Sequence, residues 1–348
     1  MAYKKAFTIV ELLVVIVVIG VLVSITVVSY SGITNRAVIA NAQSDLSNAS
    51  KKLKIYQLNN EDEDYPIDEA TAIAAKLIPD DTNYSYYVDN TTNPKTFCIS
   101  YINQDSNIAY SINQDGSPIP APYCPVLYLD ASNPNSYPGS GTTWYDLSGY
   151  GNDGELLNGV SYSNSNEGVL NFDGIDDYVK LPNDIVAVSD IRQLGVTYAA
   201  WIKTSDNSLQ QRIGGQKTTT GYSDLASGGL GIINGKAAMV AYDDGIAYKY
   251  ATGSTALSNN VWYYVVGTYS ITDRNMRIYV NSLVEGSPVS IVTFNRLLTN
   301  TSNTIGKHDH SNPYQFNGQI PNFSIYKRSL SGAEIIQNFN ALKGRYGL

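Results

Sequence analysis

The hydrophobic pattern changes sharply at residue 7. Residues 1–6 are short and basic, with Lys4 and Lys5, and residues 7–28 then run almost entirely apolar. As a helix that run covers about 33 Å, enough for a bilayer core. The lysines hold its start on the cytoplasmic side. A secretory signal peptide has a shorter apolar stretch and a small-x-small cleavage site after it. Here the junction that suits processing precedes the run, at Ala6–Phe7. Beyond it, Ile39, Ala42, Leu46, Ala49, Leu53 and Tyr56 recur at spacings of three and four, one stripe of a helix. The other face carries Asn41, Ser44, Asp45, Lys51 and Lys52. The stripe is expected to pack on a sheet of the same region. Asn59, Asn60 and the acidic run 61–64 end this helix, and the run reads as a solvated loop without calcium-loop spacing. A short helix over 70–77 and strands over 84–88, 96–102 and 108–112 follow, separated by turn-rich segments.

From residue 126 onward, short apolar strands alternate with Gly, Asn, Asp and Ser turns; 196–202, 237–242, 262–269 and 276–280 are examples. That pattern predicts an all-β sandwich. Only 331–342 reads as helix, with Ser331 as N-cap and Glu334 completing a capping box. A chain of 348 residues exceeds one ordinary core, which predicts two domains. Between them, Ser117-Pro-Ile-Pro-Ala-Pro-Tyr-Cys-Pro125 favours polyproline II and is expected to act as a semi-rigid spacer.

Composition adds three constraints. The net charge of -8 argues against a nucleic-acid partner. The 28 tyrosines suit half-exposed strands and contacts with sugar or protein. Cys98 and Cys124 are the only cysteines, read in an exported chain as one disulfide worth ~3 kcal/mol in the chain-entropy model, and no cysteine pattern supports zinc.

Glu11 is the one carboxylate inside the apolar run, and burying it costs roughly 2.5 kcal/mol or more unless a partner compensates. The α-amino group that cleavage would create on Phe7 of a neighbouring subunit is such a partner. A boundary glutamate reaching the headgroups is the alternative. The stretch Ala6-Phe-Thr-Ile-Val-Glu-Leu-Leu-Val-Val-Ile-Val-Val-Ile-Gly20 resembles the class III signal of type IV pilins and of type II secretion pseudopilins. The resemblance implies that a prepilin peptidase cuts after Ala6 and methylates Phe7, and that Glu11 aligns subunits in a helical polymer. Ala6 replaces the more usual glycine, and Val28 stands where many pilins carry a kinking proline. It also implies a precursor in the cytoplasmic membrane and then an extracellular filament. The expected division is a leader over 1–6, a transmembrane polymerisation helix over 7–28, an α+β pilin head over 29–124 and a sandwich over 125–348.

Further segments resemble the laminin-G-like, concanavalin A-type jelly rolls: Leu129-Asp-Ala-Ser-Asn-Pro134, Trp144-Tyr-Asp-Leu-Ser-Gly-Tyr-Gly-Asn-Asp-Gly154, Phe172-Asp-Gly-Ile-Asp-Asp-Tyr-Val179, Val261-Trp-Tyr-Tyr-Val-Val-Gly-Thr-Tyr269, Phe316-Asn-Gly-Gln-Ile320 and Tyr326-Lys-Arg-Ser-Leu-Ser-Gly-Ala-Glu334. That family implies glycan or protein binding, often with calcium. Asp146, Asn152, Asp153, Asp173, Asp176 and Asp177 offer hard oxygen ligands in Gly-containing loops, and the same residue types fix turns. Trp144, Tyr145, Tyr222, Tyr242 and Tyr248 are expected to be loop aromatics that stack on sugars. Trp201 and Trp262 read as core.

Catalysis finds little support. His308 and His310 lack a third ligand, and no Glu-x-Asp-x-Glu run serves glycoside hydrolysis. The expected function is a non-enzymatic pilus subunit displaying an adhesive module. A purely structural pilin and a pseudopilin of a secretion system are its rivals.

Overall fold

The computed structural model of the chain describes residues 9–90, 95–103, 108–114, 116–121, 123–183, 185–186, 188–208, 210–218, 226–243, 247–292, 301–307 and 314–348. Helix α1 (Ile9–Asn59) leads into α2 (Glu69–Ala74) and an antiparallel sheet of β1 (Tyr84–Asp89), β2 (Thr96–Asn103) and β3 (Ile108–Asn113). The three-and-four spacing explains the packing. Ala42, Leu46, Ala49 and Leu53 are buried on one face of α1, against Phe97 and Ile99 of β2 and Tyr84 of β1. Each such leucine contributes about 1.5–3 kcal/mol by burial. Alternation in β1 turns Tyr84 and Tyr86 inward and leaves Tyr87 exposed. Asp68 caps α2 by accepting from the Thr71 N–H.

Cys98 on β2 bonds Cys124, with the Cα atoms 5.9 Å apart, and ties the sheet to the segment that leaves it. That segment is not the spacer expected from its prolines. Ser111 and Ile119 exchange backbone hydrogen bonds of 3.0 and 2.9 Å, so the joint folds back on β3. Ile119 and Ala121 bury against Tyr128, and the buried Asn113 side chain donates to the Ser148 carbonyl. Tyr123 packs its ring 4.3 Å from the Arg328 guanidinium carbon. Proline removes an N–H, but the residues between prolines keep theirs. Here the Ile119 N–H holds the joint on β3 while the Ile119 and Ala121 side chains pack on Tyr128, which docks the two regions on each other.

The second region contains β4 (Leu127–Asp130), β5 (Thr143–Trp144), β6 (Gly154–Leu157), β7 (Ser161–Ser163), β8 (Val169–Asp173), β9 (Tyr178–Leu181), α3 (Val188–Leu194), β10 (Val196–Thr204), β11 (Gln211–Thr218), β12 (Ala226–Ile233), β13 (Lys236–Asp243), β14 (Ala247–Ala256), β15 (Tyr263–Ser270), β16 (Asn275–Val280), β17 (Leu283–Ser290), β18 (Thr301–Ile305), β19 (Asn317–Tyr326) and α4 (Gly332–Leu342). Two antiparallel eight-stranded sheets result. One runs β17-β16-β15-β10-β19-β8-β7, with β4 also on β19; the other runs β14-β13-β12-β11-β18-β9-β6-β5. Alternate residues fill the space between them: Tyr198, Val265 and Phe323 from the first sheet meet Ile213, Leu230 and Met239 from the second.

The outer face of the first sheet is covered by α4, whose capping box joins Ser331 and Glu334 as the sequence predicts. Trp201, fully buried, stacks 4.2 Å from the Tyr346 ring and 5.5 Å from Phe339. The C-terminal turn is pinned by Arg345, whose Nη1 donates to Asp130 on β4 at 2.9 Å. The helical cover thus lies on the outer face of the first sheet.

Candidate functional site

Ala6 and Phe7 lie outside the described residues. Glu11 belongs to α1, in a turn whose side chains also lie outside them. The neighbouring positions are informative: every residue from 13 to 19 is apolar and roughly half exposed. Seven consecutive helical positions point in all directions, so this stretch of the helix is apolar on every side. Among the described residues no helix is long and apolar enough to cross a membrane.

The loop aromatics separate into different environments. Trp144 is not a surface residue; it is fully buried on β5 in the inter-sheet core. Its register partner is Gly154, where a Cβ would fall 2.6 Å from Val179 Cγ1 and 3.7 Å from Trp144 Cβ. Tyr145 is exposed at that edge of the sheet. Tyr222 lies outside the described residues, as do His308 and His310. Tyr242 and Tyr248 are brought together at the opposite edge, in direct register on β13 and β14, with ring centroids 5.5 Å apart. Tyr250 extends the row 6.1 Å beyond Tyr248 and is exposed.

The acidic residues also divide. Asp146 Oδ1 accepts from the Tyr128 and Ser148 N–H groups, both at 2.9 Å; Oδ2 accepts from Ser148 Oγ at 2.6 Å and the Asn152 N–H at 3.0 Å. Asn152 donates through Nδ2 to Val126 O at 2.7 Å. The expectation of cation ligands at Asp146 and Asn152 is therefore corrected. Four donors occupy the carboxylate, which fixes a turn. Burial raises the Asp146 pKa above the usual carboxylate range, while these hydrogen bonds oppose the rise.

Asp173, Asp176 and Asp177 differ. One oxygen of each lies within 4.8 Å of the others in the loop between β8 and β9. Asp173 Oδ1 accepts from the Ile175 and Asp176 N–H groups, and Asp177 Oδ2 from the Asp173 N–H at 3.0 Å. Asp177 is 4 % exposed, and its Oδ1 has no hydrogen-bond partner. Burial raises its pKa, with the charges of Asp173 and Asp176 adding to the rise. Gly174 sits at φ +75°, where a Cβ would meet Asn317 at 2.7 Å, so this tight loop requires glycine. A carboxylate trio with an orphaned buried oxygen has the chemistry of a hard-cation site.

Sequence patterning missed Arg212, which reads there as an ordinary charged strand residue. It is 6 % exposed and lies across the outer face of the second sheet. The readable signal was the density of glycine in β11 and β12: a Cβ on Gly229 would fall 2.4 Å from Arg212 Nη2, and one on Gly215 3.1 Å from it.

A family model for the prokaryotic N-terminal methylation motif matches residues 1–27, and the model of the concanavalin A-like lectin/glucanases superfamily, laminin-G type, matches 173–336. The chain joins a methylation-type N-terminus to a concanavalin A-like domain. No curated protein matches it. Among solved structures, the receptor binding domain of botulinum neurotoxin C/D mosaic serotype is similar at TM-score 0.47 and 20% identity, over 62% of this chain and 51% of that one. The Trypanosoma rangeli sialidase in complex with sialic acid is similar at TM-score 0.48 and 14% identity, over 75% of this chain and 53% of that one. The chain thus spans about half the length of these structures. Within the concanavalin A-like domain, the acidic loop 173–177 and the tyrosine row occupy separate places, the row at the β14 edge and the loop beside β9.

Proposed function

We propose that this chain is a type IV pilin-like subunit that polymerises through its N-terminal helix and displays the concanavalin A-like domain for binding glycan or protein outside the cell. The observation that carries the reading is the methylation motif at 1–27, followed by a helix with apolar residues facing all ways over 13–19. The buried stripe of α1 on a three-stranded sheet supports the view of residues 29–124 as a pilin head. In this reading a prepilin peptidase cuts at Ala6–Phe7, the subunit waits in the cytoplasmic membrane, and neighbouring copies of the helix form the filament core. The chain works by binding and not by catalysis.

The docked joint refines the geometry. Because Asn113, Ile119 and Tyr123 fasten the head to the sandwich, the displayed domain keeps a set orientation on the filament instead of swinging. Electron microscopy of cells making the chain, with antibody against residues 126–348, tests this. Long surface filaments labelled along their length are expected. Labelling confined to the cell envelope would leave the chain a secretion pseudopilin, and epitopes reached only after filament disruption would make the domain a structural spacer.

We also assign calcium to the acidic loop, with Asp173, Asp176 and Asp177 as ligands, because the cation would neutralise three converging carboxylates and coordinate the orphaned Oδ1 of Asp177. At calcium about 100-fold above Kd the gain is about 2.7 kcal/mol, which for a domain of this size raises Tm by roughly 5–10 °C. Melting of the full chain in detergent, with chelator and then with millimolar calcium, measures it. Asp177→Asn should abolish the rise, and an unchanged wild-type Tm would remove the site.

A further inference from the structure

The head region carries two surface patches of opposite charge. The first is an open groove of 560 Å³ between α1 and the segment that follows α2. Ile55, Ile73 and Leu77 give it apolar surface, and the exposed Lys51, Lys52 and Lys76 stand around them. Asp45 and Asp80 also border the groove. Asp45 accepts from the Tyr84 hydroxyl at 3.0 Å, and the lysines outnumber the acids.

The second patch is the loop between α1 and α2, where Glu61, Asp62 and Glu63 are exposed and Asp64 pairs with Lys95. The loop is held in place. The Glu63 N–H donates to the Asn60 carbonyl at 2.9 Å, and Asn60 Nδ2 donates to the Asp64 carbonyl at 3.0 Å. Tyr65 is buried and exchanges hydrogen bonds with Asn90. Among the described residues, Glu61, Asp62, Glu63 and the three groove lysines enter no ion pair, so the patches do not meet within one chain.

Apolar exposure follows the same two patches. Beyond residue 19, the large exposed aliphatic side chains of the head, among the described residues, are Ile55, Leu58 and Ile67. Ile55 lies in the groove, Leu58 in the last turn of α1 (80 % exposed) and Ile67 in the acidic loop (74 % exposed). Apolar side chains left in water beside unpaired charge mark a contact surface. A rise of 1.5 Å per residue from Lys52 to Asn59 sets the patches roughly 10 Å apart along α1.

We propose that the loop over 60–68 of one copy seats in the lysine groove of the next copy. Glu61, Asp62 and Glu63 then face Lys51, Lys52 and Lys76, and Ile67 covers Ile55. Two different patches meet, so the contact is heterologous. Each copy keeps one patch free for its next neighbour, with an axial step between them, as a growing filament requires. The inference rests on the polymerisation reading above and adds a contact that the N-terminal helix does not make.

Filaments sheared from cells test it. A chain carrying Ile55→Cys and Ile67→Cys should give a ladder of disulfide-linked multimers on mild oxidation, and either substitution alone should leave monomers. Lys51→Glu with Lys52→Glu should lower the filament yield about tenfold or more, because like charges then face each other at every step. Adding Glu61→Lys and Glu63→Lys to the same chain should restore most of that yield. These positions are exposed, so each variant should reach the membrane at ordinary levels. Wild-type yield from the Lys51→Glu, Lys52→Glu chain, or no ladder from the cysteine pair, would overturn the contact. Polymerisation through the helix would still stand if Glu11→Ala abolishes the filaments. Lower yield without rescue would give the groove to another occupant, and a linked dimer from Ile55→Cys alone would make the contact symmetric; either result rejects the proposal. If the wild type makes no filaments, the polymerisation reading fails and this contact falls with it.

Discussion

Cells carrying Glu11→Ala should assemble no surface filaments, while the unassembled subunit stays in the membrane at ordinary levels. A carboxylate inside an apolar helix is costly for a lone subunit in lipid, by roughly 2.5–3.5 kcal/mol on insertion scales. In the proposed filament it meets the freed amino group of Phe7 on a neighbour, and the cost is relieved. The difference between the two states favours every addition of a subunit. Alanine is comfortable in both states, so the difference vanishes and the association constant falls by about 70-fold for 2.5 kcal/mol. That loss recurs at each step of growth. Glu11→Asp keeps the charge on a shorter arm and should restore some filaments. Shearing the cells and blotting the released fraction, beside electron microscopy, gives the readout. Filaments at wild-type abundance from Glu11→Ala, or from a chain blocked at Ala6–Phe7, would end the polymerisation reading, and the concanavalin A-like domain would be a tethered surface module.

The largest loss of stability is expected from Asp130→Ala. Asp130 is 3 % exposed, and the side chain of Arg345 is 12 % exposed. Arg345 reaches both Asp130 oxygens, at 2.9 and 3.3 Å, across 215 residues of sequence. Removing the carboxylate strands the guanidinium, which costs about 3–5 kcal/mol. Glu167, 3.3 Å from Nε but with a side chain 71 % exposed, is a poor substitute. The same change frees the Ser132 N–H and hydroxyl that Asp130 accepts. It also loosens the turn that holds Tyr346 on Trp201. For a domain of about 220 residues the loss lowers Tm by roughly 10 °C. Asp130→Ala with Arg345→Met should lose less than Asp130→Ala alone, since no unpaired charge then stays buried. Equal melting temperatures for wild type and Asp130→Ala would show that the pair contributes nothing.

Several elements are readable from local pattern because their causes are local. The three-and-four spacing of Ala42, Leu46, Ala49 and Leu53 depends on helical geometry alone, and those residues form the buried face of α1. Ser331 and Glu334 make their capping box within one turn. The strands around 96–102, 108–112, 196–202 and 276–280 follow from alternation and lie where it places them, within a residue or two. The joint shows the limit. Its prolines describe a preference of isolated backbone, and that preference is overridden by Ile119 and Ala121 finding an apolar surface on Tyr128. Trp144 shows the same limit, because its flanking turn residues suggest a loop, whereas pairing of β5 with the distant β6 turns it into the core.

By itself the sequence determined the methylation motif at 1–27, the two-part plan of the chain and the sandwich class of its second part. These are properties of short stretches: hydropathy, period and turn chemistry act between near neighbours. Only the tertiary structure decided which acids converge, that Asp146 is consumed by a turn while Asp177 keeps an orphaned oxygen, and that Arg212 lies buried over the backbone of Gly215 and Gly229. Those facts depend on which distant strands become neighbours. Burial, which sets the energy of every charge involved, exists only after the sheets have closed on each other.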